Sequence, residues 1–232
     1  MNGFFITGTG TGVGKTFIAC ELARAARNLG HRVFAFKPME TGCARTTTGF
    51  VGADQELLCA AAGGWQTGEL RGAYQFEPPV APIVAAEQAG LEIDLERIDR
   101  ILEVGAQQAD FVIVEGAGGW RVPITPQVDM AALARRSGLP VVVVGQAGLG
   151  TINHSLLTVE AVQRDGQEVA AVVLSKHPDE DDAHVTDNAR RIAAGFRGSV
   201  LIYRRTEDLA VLVSRGTSGG RVSRGTSNDD RA

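Results

Sequence analysis

Residues 8–16 read Gly-Thr-Gly-Thr-Gly-Val-Gly-Lys-Thr, and this run carries the first recognisable chemistry in the chain. Closely spaced glycines let backbone N–H groups converge on phosphate oxygens, and a helix that opens at the end of the run adds the positive end of its dipole. Gly12, Val13 and Gly14 are therefore expected to cradle phosphates, with Lys15 neutralising the outer ones. The Thr16 hydroxyl is expected to ligate Mg²⁺ beside them. The spacing departs from G-x-x-x-x-G-K-[ST], because Thr9 stands at the first glycine position and the loop runs Gly8, five residues, then Gly14-Lys15-Thr16. Two further charged residues stand at the ends of apolar runs. Lys37 follows 33–36 and precedes Pro38, where a lone lysine is ordinarily a solvated surface residue. Glu115 follows 111–114 and precedes a glycine turn, a place that a bland role explains less readily.

The elements that must position these residues alternate along the chain. Apolar runs at 4–7, 33–36, 111–114, 141–144, 169–174 and 200–202 lack polar alternation and read as buried strands. Residues 71–76 read as another strand. Helical spacing covers 15–29, 54–62, 94–107, 129–137, 152–164 and 182–194, with a short Ala-rich helix ending at Ala89. Asp54 opens one of these helices, where it has the alternative role of an N-cap. The pattern predicts an α/β fold: a single-domain, P-loop NTPase-like parallel sheet with helices on both faces. In such sheets ligands bind at the carboxyl ends of strands, which is where the glycines and charges fall.

Composition narrows the function. The chain has 232 residues, 44% apolar but only 6% aromatic, which suits one sizeable domain with an aliphatic core. Net charge is −4 with a pI near 5.6, against the basic face of a general nucleic-acid binder. No apolar run approaches membrane-spanning length. Cys20, Cys43 and Cys59 form no metal-ligand spacing, and so sparse an odd number suits a reducing compartment. The start at Met1-Asn2-Gly3 has no basic region or cleavage signal, so a cytoplasmic location is expected. Residues 213–218 read Val-Ser-Arg-Gly-Thr-Ser and 222–227 repeat them. The ordered domain is thus expected over 1–213 and a disordered Gly/Ser/Arg-rich tail over 214–232.

Four stretches occur in an order that resembles the dethiobiotin synthetase family. They are TGTGTGVGKT at 7–16, KPMETG at 37–42, VEGAGG at 114–119 and LGTINH at 149–154. The resemblance spans residues 4–175. It implies an ATP-driven cyclo-ligase that forms C–N bonds in biotin synthesis. Diaminopelargonic acid (7,8-diaminononanoate) would take up CO₂ on one amine, ATP would phosphorylate the carbamate, and the second amine would close the ring. Positioning and charge stabilisation dominate such chemistry.

The resemblance also assigns residues. Lys37, with Lys15 and Thr11, takes the catalytic role, and a cation at a strand end would steady the transferring phosphoryl group. Thr16, Asp54 and Glu115 become the Mg²⁺ ligands, a set of hard oxygens that suits that ion. Phe17, Gly116, Ala117, Gly118, Ser175 and Lys176 join the nucleotide site. Thr41 contacts the diamine, as do Gly150, Thr151 and Asn153, whose loop serves the partner subunit of a homodimer.

The chain differs from the family pattern at three places. Gly10 stands where many members have Asp, Ser175 stands where an Asn reads the base, and 201–206 lack the proline of the usual base loop. A cobyrinic-acid-type amidase is disfavoured because the chain has no room for a glutaminase domain. A regulatory switch ATPase would carry an extra lysine where Gly10 stands.

Overall fold

The computed structural model describes residues 1–47, 49–176 and 181–218. In chain order the elements are β1 (Gly3–Gly8), α1 (Lys15–Asn28), β2 (Val33–Phe36), β3 (Met39–Thr41), β4 (Ala44–Thr46), β5 (Gly49–Val51) and α2 (Ala53–Ala61). Then follow β6 (Tyr74–Phe76), α3 (Pro82–Ala89), α4 (Leu95–Gln107), β7 (Phe111–Gly119), β8 (Pro123–Thr125), β9 (Val128–Asp129) and α5 (Met130–Ser137). The last are β10 (Val141–Gln146), α6 (Thr151–Arg164), β11 (Val169–Ser175), α7 (Asp182–Phe196), β12 (Val200–Tyr203) and α8 (Ala210–Ser218).

Six strands form one parallel sheet in the order β12-β11-β10-β1-β7-β2. The central runs of its strands are apolar because both faces are covered. Phe5, Val114, Val143 and Leu174 point to the face packed by Ile98, Ile101, Leu133, Val162 and Ile192 of α4–α7. Phe4, Ile6, Ile113, Val144 and Val173 point to the other face, packed by Ile18, Leu22, Leu58 and Leu212 of α1, α2 and α8. The α/β parallel sheet anticipated above is the observed architecture. Among the described residues no helix is long and apolar enough to cross a membrane.

Three short pairs decorate the sheet: β3 with β6 in parallel, the β4–β5 hairpin and the β8–β9 hairpin. The strand expected over 71–76 is only Tyr74–Phe76, preceded by a 3₁₀ turn over Gly68–Arg71. At the C-terminus α8 runs to Ser218, past the expected boundary at 213. Its Leu212 and Val213 are buried, and Gly216 packs against the Phe4 ring, which holds the first residues of the expected tail in the fold. The rest of that tail, 219–232, including the repeat at 222–227, lies outside the described residues.

Candidate active site

The loop after β1 turns into α1 through Gly12 and Gly14, both in left-handed backbone at φ 74° and 91°. Gly14 also has no room for a side chain, since a Cβ there would lie 2.6 Å from Ser175 Oγ at the end of β11. Lys15 folds back over the loop and donates to the Gly10 carbonyl at 2.9 Å. Burial, with the nearby Lys37 ammonium, lowers its pKa, and Glu115 and Asp54 pull against that shift.

The parallel register of β2 on β7 pairs Phe36 with Val114, so the next residues, Lys37 and Glu115, emerge side by side. Lys37 Nζ donates to Glu115 Oε1 at 2.9 Å and also to Asp54 Oδ2 in the first turn of α2. Thr16 Oγ1 donates to the same Glu115 oxygen at 2.8 Å. Burial opposes the charge on Lys37, but Glu115 and Asp54 outweigh it and hold the ammonium above the usual lysine range. Glu115 Oε2 is buried and has no hydrogen-bond partner among the described residues. A buried carboxylate oxygen left this way, next to a hydroxyl and a second carboxylate, fits a hard cation.

Thr11, Gly12, Gly14, Lys15, Thr16, Phe17, Lys37, Thr41, Asp54, Glu115, Ala117 and Gly118 line a single cleft of about 600 Å³. Four other anticipated residues sit beside it. Val13 packs on Gly8 and Gly116 is buried against Phe5, while Ser175 and Lys176 lie beyond Gly14 at the end of β11. Gly150, Thr151 and Asn153 are not among the residues that line the cleft. Gly150 caps α6, the buried Thr151 faces Ser155, and Asn153 is exposed.

Several contributors escaped the sequence reading. Pro79, Val80, Ala81 and Pro82 form one wall of the cleft, and Val122 closes part of another. The prolines at 78, 79 and 82 stiffen this segment, which shares the cleft with the phosphate loop. Glu40 and Gln55 are buried behind Asp54 and Lys37. Gln55 Oε1 accepts from the Lys37 backbone N–H at 2.6 Å. Beyond the phosphate loop, the Phe17 and Tyr203 rings meet edge to face, 5.0 Å between centroids. Burial, and then a hydrogen bond to Glu21, push the Tyr203 hydroxyl up to about 12. Glu21 also accepts from Thr206, in the 3₁₀ turn after β12, where the base loop was expected to differ.

A parallel sheet whose first strand leads through a glycine loop and Gly-Lys-Thr into a helix defines the P-loop nucleotide-binding class. Solved structures agree on the fold. The MinD cell division protein of Aquifex aeolicus superposes with a TM-score of 0.53 at 15% identity, over 93% of this chain and 87% of that one. The signal recognition particle 54 kDa protein of Aeropyrum pernix K1, in complex with GDP, gives 0.54 at 18%, over 95% and 47%. A family model described as an AAA domain matches residues 2–203. The ATP-dependent dethiobiotin synthetase of Anaeromyxobacter dehalogenans strain 2CP-C is 45% identical over 83% of this chain and 85% of its own length. That of Pseudomonas aeruginosa PAO1 is 43% identical over 75% and 76%. The chain belongs to the dethiobiotin synthetase family, whose members are ATP-dependent ligases of biotin biosynthesis.

Proposed function

We propose that this chain carries out the ATP- and Mg²⁺-dependent carboxylation and ring closure of 7,8-diaminononanoate with CO₂, releasing dethiobiotin, ADP and phosphate. The observation that carries the reading is Lys37 Nζ, buried between Asp54 and Glu115 in the cleft that the phosphate loop opens. Family membership alone would predict a lysine at this position. The register of β2 on β7 gives it a physical reason to be there.

In this reading the phosphate-loop amides and Lys15 hold the triphosphate, and Phe17 lies on the side of the nucleoside with Ser175 and Lys176. Lys37 provides positive charge where the carbamate and the transferring phosphoryl group meet, which stabilises charge that develops during transfer. Thr11 and Thr41, both lining the cleft, supply hydroxyls to the reacting groups. Thr16, Asp54 and Glu115 would hold Mg²⁺, which neutralises phosphate charge when bound. The buried free oxygen of Glu115 supports that assignment.

Gly150, Thr151 and Asn153 lie off the cleft of their own chain, which supports the reading that their loop completes the diamine site of a second copy. In that homodimer the second copy would cover Leu149, which is fully exposed between two glycines at the tip of the loop. A cytoplasmic enzyme without nucleic-acid or membrane partners completes the proposal. The test is turnover of the purified protein with the diamine, bicarbonate, Mg²⁺ and ATP. A ring-closed product that requires all four is expected; nucleotide hydrolysis indifferent to the diamine would overturn the reading.

A further inference from the structure

Helix α2 begins at Ala53 after an N-cap glycine, Gly52, which has no side chain to cap it. The first backbone N–H groups of a helix have no partners within it. Two of them are satisfied from outside α2. Glu40, on β3, accepts from the Asp54 N–H through Oε1 at 2.9 Å and from the Gln55 N–H through Oε2 at 3.0 Å. Both residues so fixed reach Lys37. The Asp54 carboxylate bonds its ammonium and the Gln55 side chain bonds its backbone N–H.

We propose that Glu40 is a positioning residue for the reaction, aiming the Lys37–Asp54 pair by capping α2 across the gap from β3. The proposal rests on the reading of Asp54 as a Mg²⁺ ligand. Glu40 is 6% exposed, and a buried carboxylate needs compensation. It finds it in two amides at the positive end of a helix, where a negative charge is favoured. One of those oxygens bonds the backbone N–H of Asp54 itself, whose carboxylate would meet the metal, and the other bonds that of the next residue. Gly52 is a second and independent sign. Its φ of −85° suits any residue, so backbone freedom does not explain the glycine. Room does, because a Cβ at position 52 would overlap the Glu40 carboxylate. Glycine at 52 and glutamate at 40 are thus two halves of one device, twelve positions apart in sequence. Partners that orient metal ligands typically change metal affinity by about 10–100-fold when removed.

The experiment measures Mg²⁺-dependent binding of a non-hydrolysable ATP analogue by calorimetry, without the diamine. It also follows amide exchange at Asp54 and Gln55 in metal-free protein. Glu40→Ala should raise the half-saturating Mg²⁺ roughly tenfold or more. It should also expose both amides to exchange. Gly52→Ala, with Glu40 still present, should do the same. The double variant should be no worse than either single one, because both act on one cap. Asp94→Ala removes an ordinary cap, a side chain accepting from the Glu96 N–H at 2.8 Å on remote α4. It should lower stability without moving the Mg²⁺ dependence. Unchanged amide exchange in Glu40→Ala, or an equal Mg²⁺ effect from Asp94→Ala, would overturn the proposal. If the parent protein binds the analogue without regard to Mg²⁺, the ligand reading of Asp54 fails. The exchange measurement then still decides whether Glu40 holds the first turn of α2.

Discussion

Lys37, just past the end of β2, stands level with Glu115 inside β7, with Lys37 Nζ 2.9 Å from Glu115 Oε1. The Glu115 side chain has no exposure and Lys37 is its ion-pair partner, so its charge depends on Lys37 for compensation. Lys37→Ala therefore has two consequences. Loss of the cation at the reacting phosphoryl group should cut kcat by roughly a hundredfold or more, with nucleotide binding largely retained. It should also lower stability by about 3–5 kcal/mol, the usual effect of leaving a buried charge alone. Single-turnover product formation, made well below the melting temperature, reads the first. Denaturant unfolding reads the second. Full activity in the variant would reduce Lys37 to a structural counter-ion.

The same pair predicts what Mg²⁺ does to stability. A cation bound by Thr16, Asp54 and Glu115 in the folded state alone stabilises it by about 2.7 kcal/mol at a hundred times its dissociation constant. Thermal unfolding with and without Mg²⁺, at saturating ATP analogue, should show that gain, and chelation should remove both it and turnover. Glu115→Gln should abolish the Mg²⁺ increment. An increment that survives the substitution would place the metal elsewhere.

How much of this was readable beforehand depended on the range of each contact. The phosphate loop is local, nine consecutive residues whose spacing states their geometry. Lys37 was legible as the residue after a strand, but the strand expected to stop at 114 continues through Glu115 to Gly119, because Glu115 and Gly119 pair with Ile6 and Gly8 of β1, and the parallel register sets Glu115 beside Lys37. Glu40 was not legible, although it lies inside the KPMETG stretch. Its partners are the backbone amides of Asp54 and Gln55, and backbone groups leave no mark in sequence. The three-residue strands β3 and β6 are too short to show a period. Helix α8 buries Leu212 and Val213 on one side, but the Ser-Arg-Gly composition that follows masked that face.

Tyr203 gives a prediction with a defined pH window. Its hydroxyl is raised from 10.0 to about 12, by burial and by the hydrogen bond to Glu21. A phenol harder to ionise in the folded state adds stability that is complete below pH 10 and is lost as the pH rises through 12. The chain has two tyrosines, so a Tyr74→Phe background leaves Tyr203 as the only one. Near-ultraviolet titration in that background should show ionisation well above the ordinary range. Glu21→Gln should move it down, toward 10. The substitution should also loosen Tyr203 against Phe17 and weaken ATP binding more than it changes kcat. A titration unmoved by Glu21→Gln would mean that burial alone accounts for the shift.

Leu149 tests the dimer. It projects fully into solvent at the tip of the β10–α6 loop, and Leu157 on α6 is 57% exposed. An apolar side chain at a loop tip gains nothing from water, and glycines at 148 and 150 leave it unsupported by neighbouring side chains. If a second copy covers it, Leu149→Arg places an unpaired charge in that interface, where desolvation opposes association. Sedimentation equilibrium should then show a dimeric parent and a monomeric or weakly dimeric variant. Unfolding of the isolated chain should be nearly unchanged, because the residue makes no contribution to its own core. Activity separates two further possibilities. If Gly150, Thr151 and Asn153 complete the partner's diamine site, the variant loses turnover in parallel with dimer content, and raising the protein concentration restores both. A variant that is monomeric and fully active would show that each chain's cleft works alone, and would return those three residues to a structural role at the head of α6.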